Sequence, residues 1–224
     1  MSNREPKAWI TVNGRHIPIF DEDEQVKTFE GRATYMGTFT HEGEREMVNF
    51  FKENSNYQEL INSMSDEEKD AFEGWASGEF MGNNIPEFEQ GVYDKYLSQA
   101  TLNSGIKVRR IGGGELLNGK TDYDTIKSMV GKTITSNKPL STAAAATGLD
   151  KSEGSNKIHY EIDIPKSKGA GMFIGSPKIN HWGASQREFM LNRNTEFEIS
   201  DVQKNNDGTI DVKLRFRGLN KKGN

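Results

Sequence analysis

Ile158-His159-Tyr160-Glu161-Ile162-Asp163-Ile164 alternates apolar and polar residues without a break. That period of two belongs to a strand with one buried face, so Ile158, Tyr160, Ile162 and Ile164 turn inward and His159, Glu161 and Asp163 outward. Pro165 follows directly. Downstream, Ile210, Val212, Leu214 and Phe216 alternate with Asp211, Lys213 and Arg215. The turn before them is supplied by Asn205-Asn206-Asp207-Gly208. Upstream, Ile106-Lys107-Val108-Arg109-Arg110-Ile111 is strand-like as well. The second half of the chain therefore reads as a β core.

The first half has a different period. Residues 41–104 are predicted helical, with Met47, Val48, Phe50 and Phe51 as one compact apolar face and Leu60, Ile61 and Met64 as another. Ser65-Asp66-Glu67-Glu68 has the form of a capping box, in which the serine takes a bond from the third helical N–H and the glutamate reaches back. Phe72 and Trp75 follow at helical spacing, and a further helix over Glu87–Leu97 turns Phe88, Val92, Tyr96 and Leu97 inward. Aromatic stripes of this kind are far more often core than ligand site. Thr121-Asp122-Tyr123-Asp124 caps a short helix ending near Gly131. At the N-terminus, Trp9-Ile10-Thr11-Val12 and His16-Ile17-Pro18-Ile19-Phe20 flank Asn13-Gly14 as a small hairpin, with Pro18 confining it to an edge. Residues 21–40, acidic and then rich in Gly and Thr, read as connection. Helices first and strands afterwards make an α+β chain without internal repeats.

Bulk properties narrow the partners. A chain of 224 residues with 33% hydrophobic content predicts one domain, with an appendage at most, and a modest core. The net charge of −4 argues against a nucleic-acid partner, which calls for a basic surface. Without cysteine there is no disulfide scaffold, thiolate zinc site or cysteine nucleophile. The polar start Met1–Lys7 lacks the apolar core of a signal peptide, and no window approaches the ~18–20 apolar residues of a membrane span. A soluble protein without a classical signal, not bound to a membrane, is expected.

Three short stretches carry possible chemistry, and each alone is weak. Arg109-Arg110 on a strand is ordinarily a solvated face. Ser141-Thr142-Ala143 after Pro139-Leu140 is ordinarily a strand start. Gln186-Arg187-Glu188, at the mouth of the apolar run Phe189-Met190-Leu191, is a common kind of triplet.

Their order and surroundings, however, resemble the Arg-Ser-Glu class of bacterial toxin mono-ADP-ribosyltransferases. The similarity is strongest to the catalytic subunits of actin-modifying binary toxins and to Rho-modifying exoenzymes. It runs from about Ser65 to Gly218, about two thirds of the chain. Arg109-Arg110 ahead of Gly112 looks like the family's strand arginines. Ser141-Thr142-Ala143 matches its Ser-Thr-Ser, with alanine in the third place. Ile162-Asp163-Ile164-Pro165 matches a strand ending in Ile-Pro, and Gln186-Arg187-Glu188 matches the Gln/Glu-x-Glu that follows a Gly-rich loop. Asn192–Ile199 resembles the strand after it.

The resemblance implies a helical lobe and a two-sheet antiparallel β core clasping NAD as substrate, with no metal. It implies Glu188 against the reacting ribose, where a carboxylate stabilises developing positive charge. It gives the diphosphate to Arg109, with Arg110 as its neighbour, because a guanidinium fork suits phosphate. Strand alternation puts the two arginines on opposite faces. Ser141 would orient Glu188. Gln186, unlike glutamate, goes with acceptors other than arginine in this family, and Trp182 is a candidate for touching the acceptor protein. Its alternative is a packed loop anchor, and His181 beside it reads as an ordinary exposed histidine. Residues 143–157 contain no aromatic, whereas many members place a phenylalanine there against the nicotinamide.

Residues 8–20 also resemble, over a short span, a segment of phage head-morphogenesis proteins, which implies a phage- or prophage-delivered effector acting in a cytoplasm. The expected division is 1–40 as hairpin and connection and 41–224 as the transferase domain, made of a helical lobe 41–104, a β core 105–218 and a basic tail 219–224. The expected function is transfer of ADP-ribose to a host protein. The rivals are an NAD glycohydrolase and an inactive transferase-like module of a phage particle.

Overall fold

A computed structural model describes residues 47–80, 84–144, 158–184 and 187–220 in full, together with the backbone of 8–12, 15–19, 25–29, 32–36, 41–46 and 149–150. At the N-terminus β1 (Ala8–Val12) and β2 (Arg15–Ile19) pair antiparallel with Val12 opposite Arg15. That register leaves two residues for the turn, as the Asn13-Gly14 reading requires, although the turn itself lies outside the described residues. The stretch expected to be connection holds a second hairpin instead. There β3 (Gln25–Phe29) pairs with β4 (Arg32–Met36), with Phe29 opposite Arg32. Val26, Thr28 and Phe29 are strand formers that the surrounding acidic and Gly/Thr-rich sequence conceals.

The helical lobe follows as α1 (His41–Asn54), α2 (Tyr57–Ser63), α3 (Asp66–Ser77) and α4 (Glu87–Gln99). Ser65 caps α3 as its sequence predicts: its hydroxyl accepts from the Glu68 N–H at 3.2 Å, and the Glu68 carboxylate accepts from the Ser65 N–H at 2.8 Å. The same carboxylate accepts from Lys95 Nζ and from the Tyr96 hydroxyl, each at 2.6 Å, so one cap also fastens α3 to α4. Phe88 is exposed, not inward. The buried stripe of α4 is Val92, Tyr93, Tyr96 and Leu97, which begins one turn later than its spacing predicts.

The remaining elements are β5 (Thr101–Leu102), β6 (Ile106–Gly112), α5 (Tyr123–Lys127), β7 (Thr133–Ser136), β8 (Leu140–Ala143), β9 (Leu149–Asp150), β10 (Ile158–Ile164), β11 (Ser167–Lys168), β12 (Gly171–Phe173), β13 (Glu188–Leu191), β14 (Thr195–Lys204) and β15 (Ile210–Leu219). Their main sheet runs β12-β13-β8-β6-β10-β15-β14-β7, with β9 beside β6. Among the described residues, only β10–β15 and β6–β9 are parallel pairs in it. The sheet has two groups, β12-β13-β8 and β6-β10-β15-β14-β7, which among the described residues are joined through the pair Arg109–Ala143. Thus the two halves of the β core meet at a candidate site residue.

One apolar core spans lobe and sheet. Phe51 of α1 stacks on Phe173 of β12 at 4.2 Å between ring centroids and lies 6.0 Å from Phe189 of β13. Gly171 permits the close approach of β12 to β13, since a Cβ there would lie 2.4 Å from the Met190 carbonyl oxygen.

Candidate active site

Cross-strand register aligns the site. Reading across the sheet, Asp201, Lys213, Glu161, Arg109, Ala143 and Glu188 are successive partners on β14, β15, β10, β6, β8 and β13. Directly paired residues point to the same face. The row therefore alternates in charge from Asp201 to Arg109, passes a methyl group at Ala143 and ends at Glu188. Burial rises along it: the first four are half-buried and the last two are buried. Lys213 lies 3.9 Å from Asp201, and Arg109 Nη2 donates to Glu161 at 2.9 Å. Burial raises the Glu161 carboxyl, but Arg109 and Lys107 together outweigh it and hold the group below its ordinary range.

Arg110 belongs to the next row, opposite Tyr160. Its Nε donates to Glu115 at 2.7 Å and its Nη1 to the Ser141 carbonyl at 2.9 Å. Arg109 is thus the arginine that shares the Glu188 face, while Arg110 fixes the backbone of the serine strand.

Glu188 opens β13 and is only 2% exposed. Its Oε1 accepts from the Ser141 hydroxyl and from the indole Nε1 of Trp75 at 3.0 Å. The serine contact follows the sequence expectation, whereas the tryptophan contact does not follow from an aromatic stripe that reads as core. Nothing in the helical spacing of Phe72 and Trp75 separates a purely packed ring from one whose N–H reaches across to the sheet.

The residue just ahead of β13 has an uncommon backbone conformation. Arg187, buried at 1% exposure, has φ = 54° and donates from Nη1 to the Ala184 carbonyl at 2.8 Å. Its own carbonyl accepts from the Ala144 N–H at 2.9 Å, which extends the β8–β13 pairing by one bond. A left-handed arginine costs roughly 1–2 kcal/mol, so the surroundings impose this conformation. Gln186 lies outside the described residues.

Trp182 is 52% exposed, with its ring tilted against His181 at 4.6 Å and its backbone N–H donating to Asn180 Oδ1 at 2.9 Å. It is therefore not the packed anchor of its loop. His181 is exposed, as expected, and its Nδ1 contacts the Glu73 carboxylate of α3. Lys178 Nζ donates to Asn62 of α2 at 2.8 Å, a second tie from this loop to the helical lobe. Among the described residues, no three His, Asp or Glu side chains are grouped so as to hold a metal ion, and no helix is long and apolar enough to cross a membrane.

The sheet with its helical lobe has a counterpart among known proteins. The sequence model of the ADP-ribosyltransferase exoenzyme family matches residues 91–216, more than half of the chain, and the chain belongs to that family. It is an NAD-dependent ADP-ribosyltransferase. No curated protein sequence matches it. Among solved structures, Plx2a, an ADP-ribosyltransferase toxin from Paenibacillus larvae, is similar at a TM-score of 0.57 and 17% identity, over 78% of this chain and 96% of that one. C3stau2 from S. aureus, solved with NAD, is similar at 0.59 and 14%, over 77% and 95%. The Clostridium limosum C3 exoenzyme is similar at 0.56 and 17%, over 83% and 98%. At such identities the likeness is one of fold.

Proposed function

We propose that the chain transfers ADP-ribose from NAD to a host protein at a residue other than arginine, with Glu188 as the carboxylate that acts on the reacting ribose. In this transfer the bond between nicotinamide and ribose C1′ breaks and its electron pair leaves with the nicotinamide. Positive charge then builds on C1′ and the ring oxygen. A lone pair of the acceptor forms the new bond to C1′, and the acceptor gives up a proton. A fixed carboxylate lowers the energy of that charge, and more so where water is excluded. Glu188 is supported in this role by its burial and by the two donors on its Oε1.

Arg109 binds the diphosphate, sharing its guanidinium with Glu161. Arg110 acts one step back, holding the Ser141 carbonyl so that the hydroxyl stays on Glu188. Gln186 cannot serve as a base for a protonated arginine acceptor, but its amide can donate and accept hydrogen bonds to a neutral side chain. Trp182, exposed in the loop ahead of it, meets the acceptor protein. The N-terminal resemblance to phage head proteins supports delivery with a phage particle.

The test is incubation with labelled NAD, with and without a bacterial lysate, beside Glu188→Gln. A discrete labelled band that is lost in the variant supports the transferase and isolates its target. Nicotinamide release without a labelled band would make the protein a glycohydrolase. Binding of NAD without either signal would make it an inactive module.

A further inference from the structure

We infer that Trp75 is a positioning residue for Glu188, its indole N–H fixing the carboxylate in place. The inference rests on the role proposed above for Glu188. A carboxylate as buried as Glu188 is strongly disfavoured unless hydrogen bonds replace its lost water. Two side chains donate to the same oxygen, and they are not equivalent. The Ser141 hydroxyl can donate or accept, so it satisfies either protonation state of the carboxyl. An indole N–H is a donor only and has no favourable bond to offer a carboxyl O–H. The indole can therefore only donate to Glu188, and such a bond is stronger to a carboxylate oxygen than to the carbonyl oxygen of a neutral carboxyl.

The indole is itself held. It packs edge-on against Tyr93 of α4, with ring centroids 5.6 Å apart and planes at 74°, and the Tyr93 hydroxyl donates to the Ala71 carbonyl of α3 at 2.7 Å. A donor on a helix is thus locked by a neighbouring helix and aimed at the first residue of a strand. The helical lobe in this way sets the geometry of a side chain that belongs to the sheet.

Trp75→Phe keeps a flat ring against Tyr93 and removes the N–H. Trp75→His restores a ring N–H on a smaller frame. Initial rates of nicotinamide release over a range of NAD concentrations are compared for the wild-type protein, both variants and Glu188→Gln. Because a hydrogen bond to a charged group is lost, we expect kcat of Trp75→Phe to fall about ten-fold or more, with KM for NAD within about two-fold of wild type. The histidine variant recovers part of kcat. Equal kcat in the phenylalanine and wild-type proteins, equal kcat in the two variants, or a loss confined to KM would overturn the inference, since a ring that only packs or lines the ligand site behaves that way. Turnover retained in Glu188→Gln would instead overturn the reading of Glu188 on which the inference stands.

Discussion

Ser141 and Glu188 lie on adjacent antiparallel strands, two residues off direct register, and the serine hydroxyl spans that diagonal to reach Glu188 Oε1. The directly opposite partner of Glu188 is Ala143, whose methyl group cannot donate. Serine at 141 is therefore the strand residue that matters to the carboxylate. Ser141→Ala should lower kcat for nicotinamide release roughly ten- to hundred-fold, the range of a lost bond to a buried charged group. NAD binding followed by calorimetry should change little. Unaltered kcat would remove the serine from the chemistry.

Arg109 is asked to do two things, to pair with Glu161 and to meet a diphosphate. Arg109→Lys preserves the charge and forfeits the planar fork, so it separates the two. KM for NAD should rise about ten-fold while the melting temperature stays close to wild type, since lysine still faces Glu161. An unchanged KM would leave Arg109 as a structural partner of Glu161 only.

The cap at Glu68 makes stability depend on acid. Hydrogen bonds from Lys95, then Tyr96, then the Ser65 N–H hold its carboxyl at about 2, below the ordinary 4.5. A depressed carboxylate contributes stability above its unfolded value and loses that contribution as pH falls through its folded value. Thermal melts of wild type and Glu68→Gln should therefore differ at neutral pH, by about 1 kcal/mol, because glutamine keeps the box but turns its charge-assisted bonds into neutral ones. The difference should shrink between pH 4.5 and pH 2. A gap that persists at the lowest pH would place its origin in packing instead of charge.

Gly171 has no room for a methyl group, since its Cβ would meet the Met190 carbonyl oxygen at 2.4 Å and a Phe189 ring carbon at 2.7 Å. Because a backbone atom is the obstacle, Gly171→Ala must push β12 from β13. A cost of about 2 kcal/mol is expected, seen as a melting temperature roughly 4–8 °C lower. A wild-type melting curve would show that the strand pair yields easily.

Much of this was legible because local chemistry and final structure agree. The alternation at 158–164 and 210–216 and the Ser65/Glu68 box each depend on neighbours in sequence, and each is found where its pattern predicts. The short helix expected after Thr121–Asp124 is there too, capped by Asp122, but it ends at Lys127, short of Gly131. The Ser141–Glu188 contact was also anticipated, though through resemblance and not through spacing. What escaped depends on distance along the chain. Trp75 meets Glu188, and Glu73 meets His181, across more than a hundred residues. No periodicity reports such a pairing. The hairpin of β3 and β4 escaped for the opposite reason: its strand formers are few, and turn-like composition surrounds them.

Strand β15, later in sequence than both its neighbours, is laid between β10 and β14 and not at a margin of the sheet. The order of synthesis and the order of assembly therefore conflict. As the chain emerges, β10 and β14 each wait with a bare edge until residues 210–219 arrive to zip both at once. A nascent chain, or one stopped before Ile210, thus lacks the centre of its sheet and presents two open templates for pairing with other strands. Such a product is a substrate for proteolysis and aggregation and not a weakened enzyme. Competence arrives in one step, when residues 210–219 have been made and laid between their two neighbours.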